Sequence, residues 1–254
     1  MLQDFTKTPF DIFILAGQSN ANGTGLGAVD KPYEPNDSVW YMNGDDTISL
    51  AVEQVNENFI LSNLSLSFAQ EYIAAGKLAE GRKILILRAA VGGTGFLDGY
   101  WKANDPLFLH MMEMIRTALA MNPENRLVTL LWHQGETDAL LHATYEQQYG
   151  HLSTLVELVR TTFAVPTLPF IAGDFVQQWK TEYPEECAPV IDAIRAVCHD
   201  CGSAGFVETD GLKSNNQEYI GHPAYATDDT IHFSRPALYE LGERYYAKFV
   251  QIAG

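Results

Sequence analysis

A chain of 254 residues with 46% hydrophobic and only 19% charged residues can bury a sizeable core, and α/β chains of this length often fold as one domain, here residues 1–254. Its 32 acidic and 16 basic residues leave a formal charge of −16, with no run of Lys and Arg to offset it locally. A surface of that sign repels phosphate backbones and anionic lipid headgroups, so neither nucleic acid nor a membrane is an expected partner.

Apolar runs and helical periodicities alternate along the chain, the pattern of a parallel sheet with crossover helices. Strands are predicted at 11–15, 83–87, 126–132, 168–173 and 205–208, with 39–42 as a short edge strand. Helices are predicted at 63–75, 105–121, 144–162, 184–198 and 234–252. Asp105 reads as the N-cap of the second, with Pro106 at its first helical position, and Ser234 begins the last in the same way. Right-handed crossovers put the strand C-termini at one edge, where open α/β sheets bind ligands. Three stretches without clear period, 20–39, 89–104 and 210–230, are long enough to suggest functional loops.

The N-terminus has no charged segment followed by an apolar run, and no window nears ~18 uninterrupted apolar residues. The chain as given reads as cytoplasmic, or as secreted or periplasmic if a leader has been removed. Its cysteines are Cys187, Cys198 and Cys201. The C-x-x-C from Cys198 to Cys201 lacks a second pair to complete a zinc site and reads as a helix end, so no metal is expected. An odd cysteine count mildly favours a reducing compartment. Oligomeric state is not set by anything in the sequence.

Chemistry-bearing residues gather at four strand ends. Ser19 follows the first strand in "GQSN"; alone, it would read as a cap or turn serine. The second strand runs into "RAAVGGTG", 88–95, whose paired glycines let backbone N–H groups approach a ligand. The third runs into His133, Gln134, Glu136 and Asp138, polar groups that are costly to bury unpaired. Before the last helix, Asp229 precedes His232 by three residues. In a tight loop the carboxylate then accepts from the imidazole Nδ1–H and turns Nε2 outward, as a general base for a serine requires. Together the four supply the nucleophile, base, orienting acid and oxyanion donors of acyl transfer.

These stretches, "GQSN" at 17–20, "GGT" at 92–94, "HQGETD" at 133–138 and "DTIH" at 229–232, resemble the SGNH hydrolase superfamily. Within it they are similar to the carbohydrate esterase family 6, or sialate O-acetylesterase-like, group, which is related to acetylxylan esterases. The resemblance spans nearly the whole chain. It implies a three-layer α/β/α, flavodoxin-like fold with a five-stranded parallel sheet. It also implies a serine carboxylic-ester hydrolase that needs no cofactor and acts on an acetylated carbohydrate, such as acetylxylan or O-acetyl sialic acid. Ser19 would be the acylated nucleophile and His232 the base. Oxyanion donors would be the N–H groups of Ser19 and Gly93, with Gly92 as the alternative, and the Gln134 side chain. The orienting acid would be Asp229, with Glu136 as the alternative or else a buried structural carboxylate.

Asp138 and Asp228 read as loop-stabilising or solvated. Phe96, Tyr100 and Trp101 follow the glycines and suit either sugar stacking or the core; Tyr100, Trp101 and Asn20, which sits beside the nucleophile, are candidate substrate-binding residues. Arg88 suits either a substrate carboxylate or one of the many acidic side chains. Alternatives are a general small-acyl SGNH esterase or lipase-like enzyme, and a non-catalytic carbohydrate-binding protein on this scaffold. An α/β-hydrolase is disfavoured, because Ala stands at position 21 where G-x-S-x-G needs Gly. A flavin site lacks its Ser/Thr-rich phosphate loop.

Overall fold

The computed structural model describes residues 4–56, 59–218 and 228–253. Nine strands are described: β1 Phe10–Gly17, β2 Val39–Met42, β3 Ile48–Leu50, β4 Gln54–Asn56, β5 Phe59–Leu61, β6 Lys83–Arg88, β7 Arg126–His133, β8 Phe170–Gly173 and β9 Ala204–Val207. Every residue of β1 is buried, as in a parallel strand covered on both faces, and β1 takes the centre of the sheet. The order is β3-β2-β6-β1-β7-β8-β9, parallel throughout except for β3, which runs antiparallel to β2.

The sheet therefore has seven strands rather than five. The edge strand expected at 39–42 pairs with β6, and β3 extends it through a turn in which Asp46 adopts φ +62°. That turn follows "NGDD", a hairpin signal, but the three-residue strand after it is too short to show a period. β4 and β5 form a separate hairpin.

The described helices are α1 Ser19–Asn22, α2 Leu64–Ala74, α3 Pro106–Met121, α4 Glu136–Leu140, α5 Tyr145–Thr162, α6 Gln177–Glu182, α7 Pro184–Asp200, α8 Asn215–Glu218 and α9 Arg235–Ala253. Neighbouring residues on a strand face opposite ways, and the end of β7 identifies the two layers. His133 meets Tyr245 of α9, whereas Trp132 stacks on Phe96, which in turn stacks on His151 of α5. α2 packs with α9, and its Phe68 and Tyr72 meet Phe13 of β1 edge-on. The crossovers through α3, α5 and α7 all advance the same way across the sheet, so right-handedness puts them on the other face.

Helix starts follow their capping residues in part. Ser234 accepts from Ala237 N–H and caps α9. Asp105 stands at the N-cap of α3 with Pro106 after it, but its carboxylate accepts from Lys102 N–H and braces the incoming turn instead of the helix. Cys187 and Cys198 are buried and Cys201 is half-buried, all as free thiols; burial pushes the Cys198 thiol up to about 12. Among the described residues no helix is long and apolar enough to cross a membrane. Of the aperiodic stretch 210–230, residues 219–227 lie outside the described residues.

Candidate active site

β1 closes at Gly17, whose φ is +126° and where a Cβ would fall 2.1 Å from the His133 carbonyl oxygen. Only glycine lets the ends of β1 and β7 come that close. Gln18 N–H then donates to that same carbonyl at 2.9 Å, and α1 begins with Ser19. The first N–H of a helix has no intrahelical acceptor, and that of Ser19 has no other acceptor among the described residues.

His232 Nε2 lies 2.9 Å from Ser19 Oγ, and His232 Nδ1 lies 2.8 Å from Asp229 Oδ1. The second Asp229 oxygen accepts from Asn215 Nδ2 at 2.8 Å. Burial would raise the Asp229 pKa, but the hydrogen bond and charge of His232 and the bond from Asn215 outweigh it and hold the carboxyl below its usual range. The ionised acid keeps the proton on Nδ1, which leaves Nε2 to accept from the serine hydroxyl. The His232 side chain is 26% exposed and Ser19 8%, so the serine end is open to a ligand.

Behind this chain lies a second cluster with no exposure. Glu136 starts α4 and accepts from Asn20 Nδ2 at 2.7 Å; it makes no hydrogen bond to His232. Asn20 also donates to the Ile231 carbonyl at 3.1 Å and accepts from Phe233 N–H at 3.0 Å, gripping the backbone on both sides of His232. Asn20 is therefore fully enclosed, which overturns its assignment to substrate binding: all its polar atoms are used within the protein. The Tyr245 hydroxyl donates to the Trp132 carbonyl and so must accept from His133 Nδ1 at 3.0 Å. His133 Nε2 is left as an acceptor 3.8 Å from Glu136 Oε1, with no hydrogen-bond partner among the described residues. Burial lowers the His133 pKa to about 3 and raises that of Glu136, so both groups favour their neutral forms.

The glycine turn faces the serine. A Cβ on Gly92 would stand 3.7 Å from Ser19 Cβ, and Gly93 has φ +70°. The N–H groups of both glycines lack protein acceptors among the described residues. Gln134 is more constrained than a free oxyanion donor, because its Nε2 donates to buried Asp138 at 2.6 Å. Its other contacts, Thr94 O at 3.4 Å and Gln18 Oε1 at 3.5 Å, are long, so one N–H is only weakly engaged. Asp138 also accepts from Phe96 and Leu97 N–H and stabilises the loop, while Asp228 is exposed.

Two of the loop aromatics belong to the core. Trp101 is fully buried, edge-on to Trp132, with Nε1 donating to Thr94 Oγ1 at 2.9 Å; it cannot stack on a substrate, which corrects its assignment. Phe96 is likewise enclosed against Trp132, and Tyr100, 41% exposed, is the one of the three at the surface. Arg88 ends β6 half-buried and pairs with no acid among the described residues.

A family model described as carbohydrate esterase, sialic acid-specific acetylesterase, matches residues 9–251. The chain belongs to that family. A probable 9-O-acetyl-N-acetylneuraminic acid deacetylase of Escherichia coli (strain K12) is 27% identical over 125 residues, 40% of this chain and 38% of that protein. The match thus spans well under half the length of that curated relative. Among solved structures, that of NanS matches with a TM-score of 0.80 and 19% identity over 96% of this chain and 98% of the other. A carbohydrate acetylesterase from Xanthomonas citri matches at 0.59 and 17%, over 96% and 56%. At these identities the likeness is one of fold.

In this acetylesterase family member, sequence reasoning passed over Asn215, Gln18 and Tyr245. Asn215 links Asp229 to the loop after α1 by accepting from Leu26 N–H and donating to Thr24 O. Gln18 accepts from Thr137 N–H and ties the start of α4 to the end of β1. A polar stretch around Asn215 carries no period to flag it. Tyr245 reads as one more apolar position of α9.

Proposed function

We propose that this member of the sialic acid-specific acetylesterase family is a serine carboxylic-ester hydrolase that removes O-acetyl groups from carbohydrate, with O-acetylated sialic acid as its substrate class. The observation that carries the reading is the unbroken hydrogen-bond chain from Ser19 through His232 to Asp229 at the binding edge of the sheet.

Ser19 Oγ attacks the acetyl carbonyl as its proton passes to His232 Nε2, and the imidazolium is stabilised by ionised Asp229. The N–H groups of Ser19 and of Gly93 or Gly92 hold the tetrahedral oxyanion, with the weakly engaged N–H of Gln134 as third donor. Loss of one such donor typically costs roughly 10²–10³ in kcat. His232 returns its proton to the sugar oxygen as the C–O bond breaks, leaving acetyl-Ser19 and a free alcohol. Water, deprotonated by His232, then attacks the acyl carbonyl; acetate leaves and the proton returns to Ser19.

The test is acetate release by wild-type and Ser19→Ala protein from 9-O-acetyl-N-acetylneuraminic acid and from acetylated xylan. Ser19-dependent release from the sialic acid supports the reading. Release from xylan alone moves the substrate class, and wild-type rates in Ser19→Ala overturn the mechanism.

A further inference from the structure

Beside the serine, a cleft of about 330 Å³ is lined by Asn22, Arg88, Val91, Gly92, Leu107 and His110, among others. That volume lies at the lower end of the ~300–1,000 Å³ of small-molecule sites. The cleft adjoins the nucleophile through Gly92, so a group seated in it is within one sugar's reach of an ester at Ser19.

Among the described residues, nothing neutralises Arg88 in this cleft. Its guanidinium lies over the Tyr41 ring, 4.9 Å from the centroid. The Asn22 and Asn43 side chains and the Asn22 carbonyl are each 3.4 Å from it. Gln54, with its amide oxygen turned inward, accepts from both terminal nitrogens at 2.8 and 2.5 Å. All these partners are uncharged. Arg82, Arg116, Arg126, Arg195, Arg235 and Arg244 each pair with a carboxylate, and Arg160 is used on backbone carbonyls. Among the described residues Arg88 alone has neither a carboxylate partner nor a backbone carbonyl nearer than 3.4 Å, in a chain with 32 acidic residues. Arg88 Nε and His110 Nε2 also lack hydrogen-bond partners among the described residues, which leaves unspent polar capacity in the cleft wall.

A chain of net charge −16 repels an anionic ligand unless a local cation offsets the field. A flat guanidinium already fixed by stacking and neutral hydrogen bonds presents its charge at little further ordering cost, and its shape matches a carboxylate. We propose that Arg88 receives a carboxylate carried by the acetylated substrate, so that the cleft selects an acetylated sugar acid over an acetylated neutral sugar. The inference rests on the acetylesterase reading of Ser19 and adds the group that reads the rest of the substrate.

The experiment compares acetate release from 9-O-acetyl-N-acetylneuraminic acid and from its carboxyl methyl ester by wild type, Arg88→Gln and Arg88→Lys. Wild type is expected to favour the acid by roughly 10- to 100-fold in kcat/KM, the range for a hydrogen bond to a charged group. Arg88→Gln brings the ratio near one, and Arg88→Lys restores part of it; a merely structural arginine would lower both rates together. A wild-type ratio near one, or a ratio unchanged in Arg88→Gln, overturns the proposal. Ser19-dependent cleavage of p-nitrophenyl acetate tests the acetylesterase reading by itself, so the two failures are distinguishable. If no sugar ester is turned over, calorimetric binding of the acid to Ser19→Ala protein decides the matter. Affinity that falls by the same factor when Arg88→Gln is added supports the subsite, and equal affinity overturns it.

Discussion

The site contains two imidazole–carboxyl pairs, each separated by three residues along the chain, and their surroundings drive them to opposite charge states. In the pair formed by Asp229 and His232, the groups are 2.8 Å apart, partly exposed, and the acid is held below its usual pKa. In the pair formed by His133 and Glu136, the groups are 3.8 Å apart and wholly enclosed, with the imidazole pushed down and the carboxyl pushed up. Spacing alone does not make a catalytic dyad. Desolvation without a close opposite charge neutralises the buried pair, whereas a direct hydrogen bond at the solvent edge keeps the outer acid ionised.

The largest effect that separates the pairs is expected from Asp229→Asn. An amide there no longer fixes the imidazole proton on Nδ1, and kcat should fall by roughly 10⁴-fold with little change in thermal stability. Glu136→Ala should act through structure. It strips Asn20 of its acceptor inside a closed cluster, costing about 1–3 kcal/mol in denaturant unfolding and loosening the His232 loop, so that kcat falls as well.

The pH dependence of stability sharpens the contrast further. Folded His133 binds its proton only near pH 3, whereas the unfolded imidazole does so near 6.5. Between those values the unfolded chain holds more protons, so this contribution rises with pH and is lost as pH falls, by roughly 1.4 kcal/mol per unit. Raised Glu136 acts with the opposite sign above 4.5, favouring the folded chain until pH climbs through its folded pKa. Urea midpoints measured from pH 7 to 4 should therefore fall less steeply in His133→Gln and more steeply in Glu136→Gln. The smallest expected effect is that of Glu136→Gln on activity. The amide keeps an acceptor for Asn20 and a donor toward His133, so kcat should stay within about tenfold of wild type. A loss as large as that of Asp229→Asn would mean that the buried carboxyl acts as an anion.

How much of this was legible in the sequence depended on burial. Parallel strands covered on both faces are continuous apolar runs, so β1, β6 and β7 stood out, while three-residue β3 carried no pattern. Ser19, Asp229 and His232 stood out because polar side chains at strand ends and an acid three residues before a histidine are local signals. Asn20 and Trp101 misled because their types suit a binding surface, and only the tertiary fold decides that their polar atoms are consumed within the protein. Asn215 could not be found at all, since its value lies in reaching Asp229 from a different loop.

The central claim is that Ser19 carries the acyl group. Rapid quenching of wild-type protein with p-nitrophenyl acetate, followed by peptide mass spectrometry, tests it most directly. One acetyl group is expected on the peptide holding Ser19, absent from Ser19→Ala, with deacylation slowed in His232→Ala. Turnover with Ser19 unmodified, or an acetyl group lodged on another residue at the rate of turnover, would contradict it.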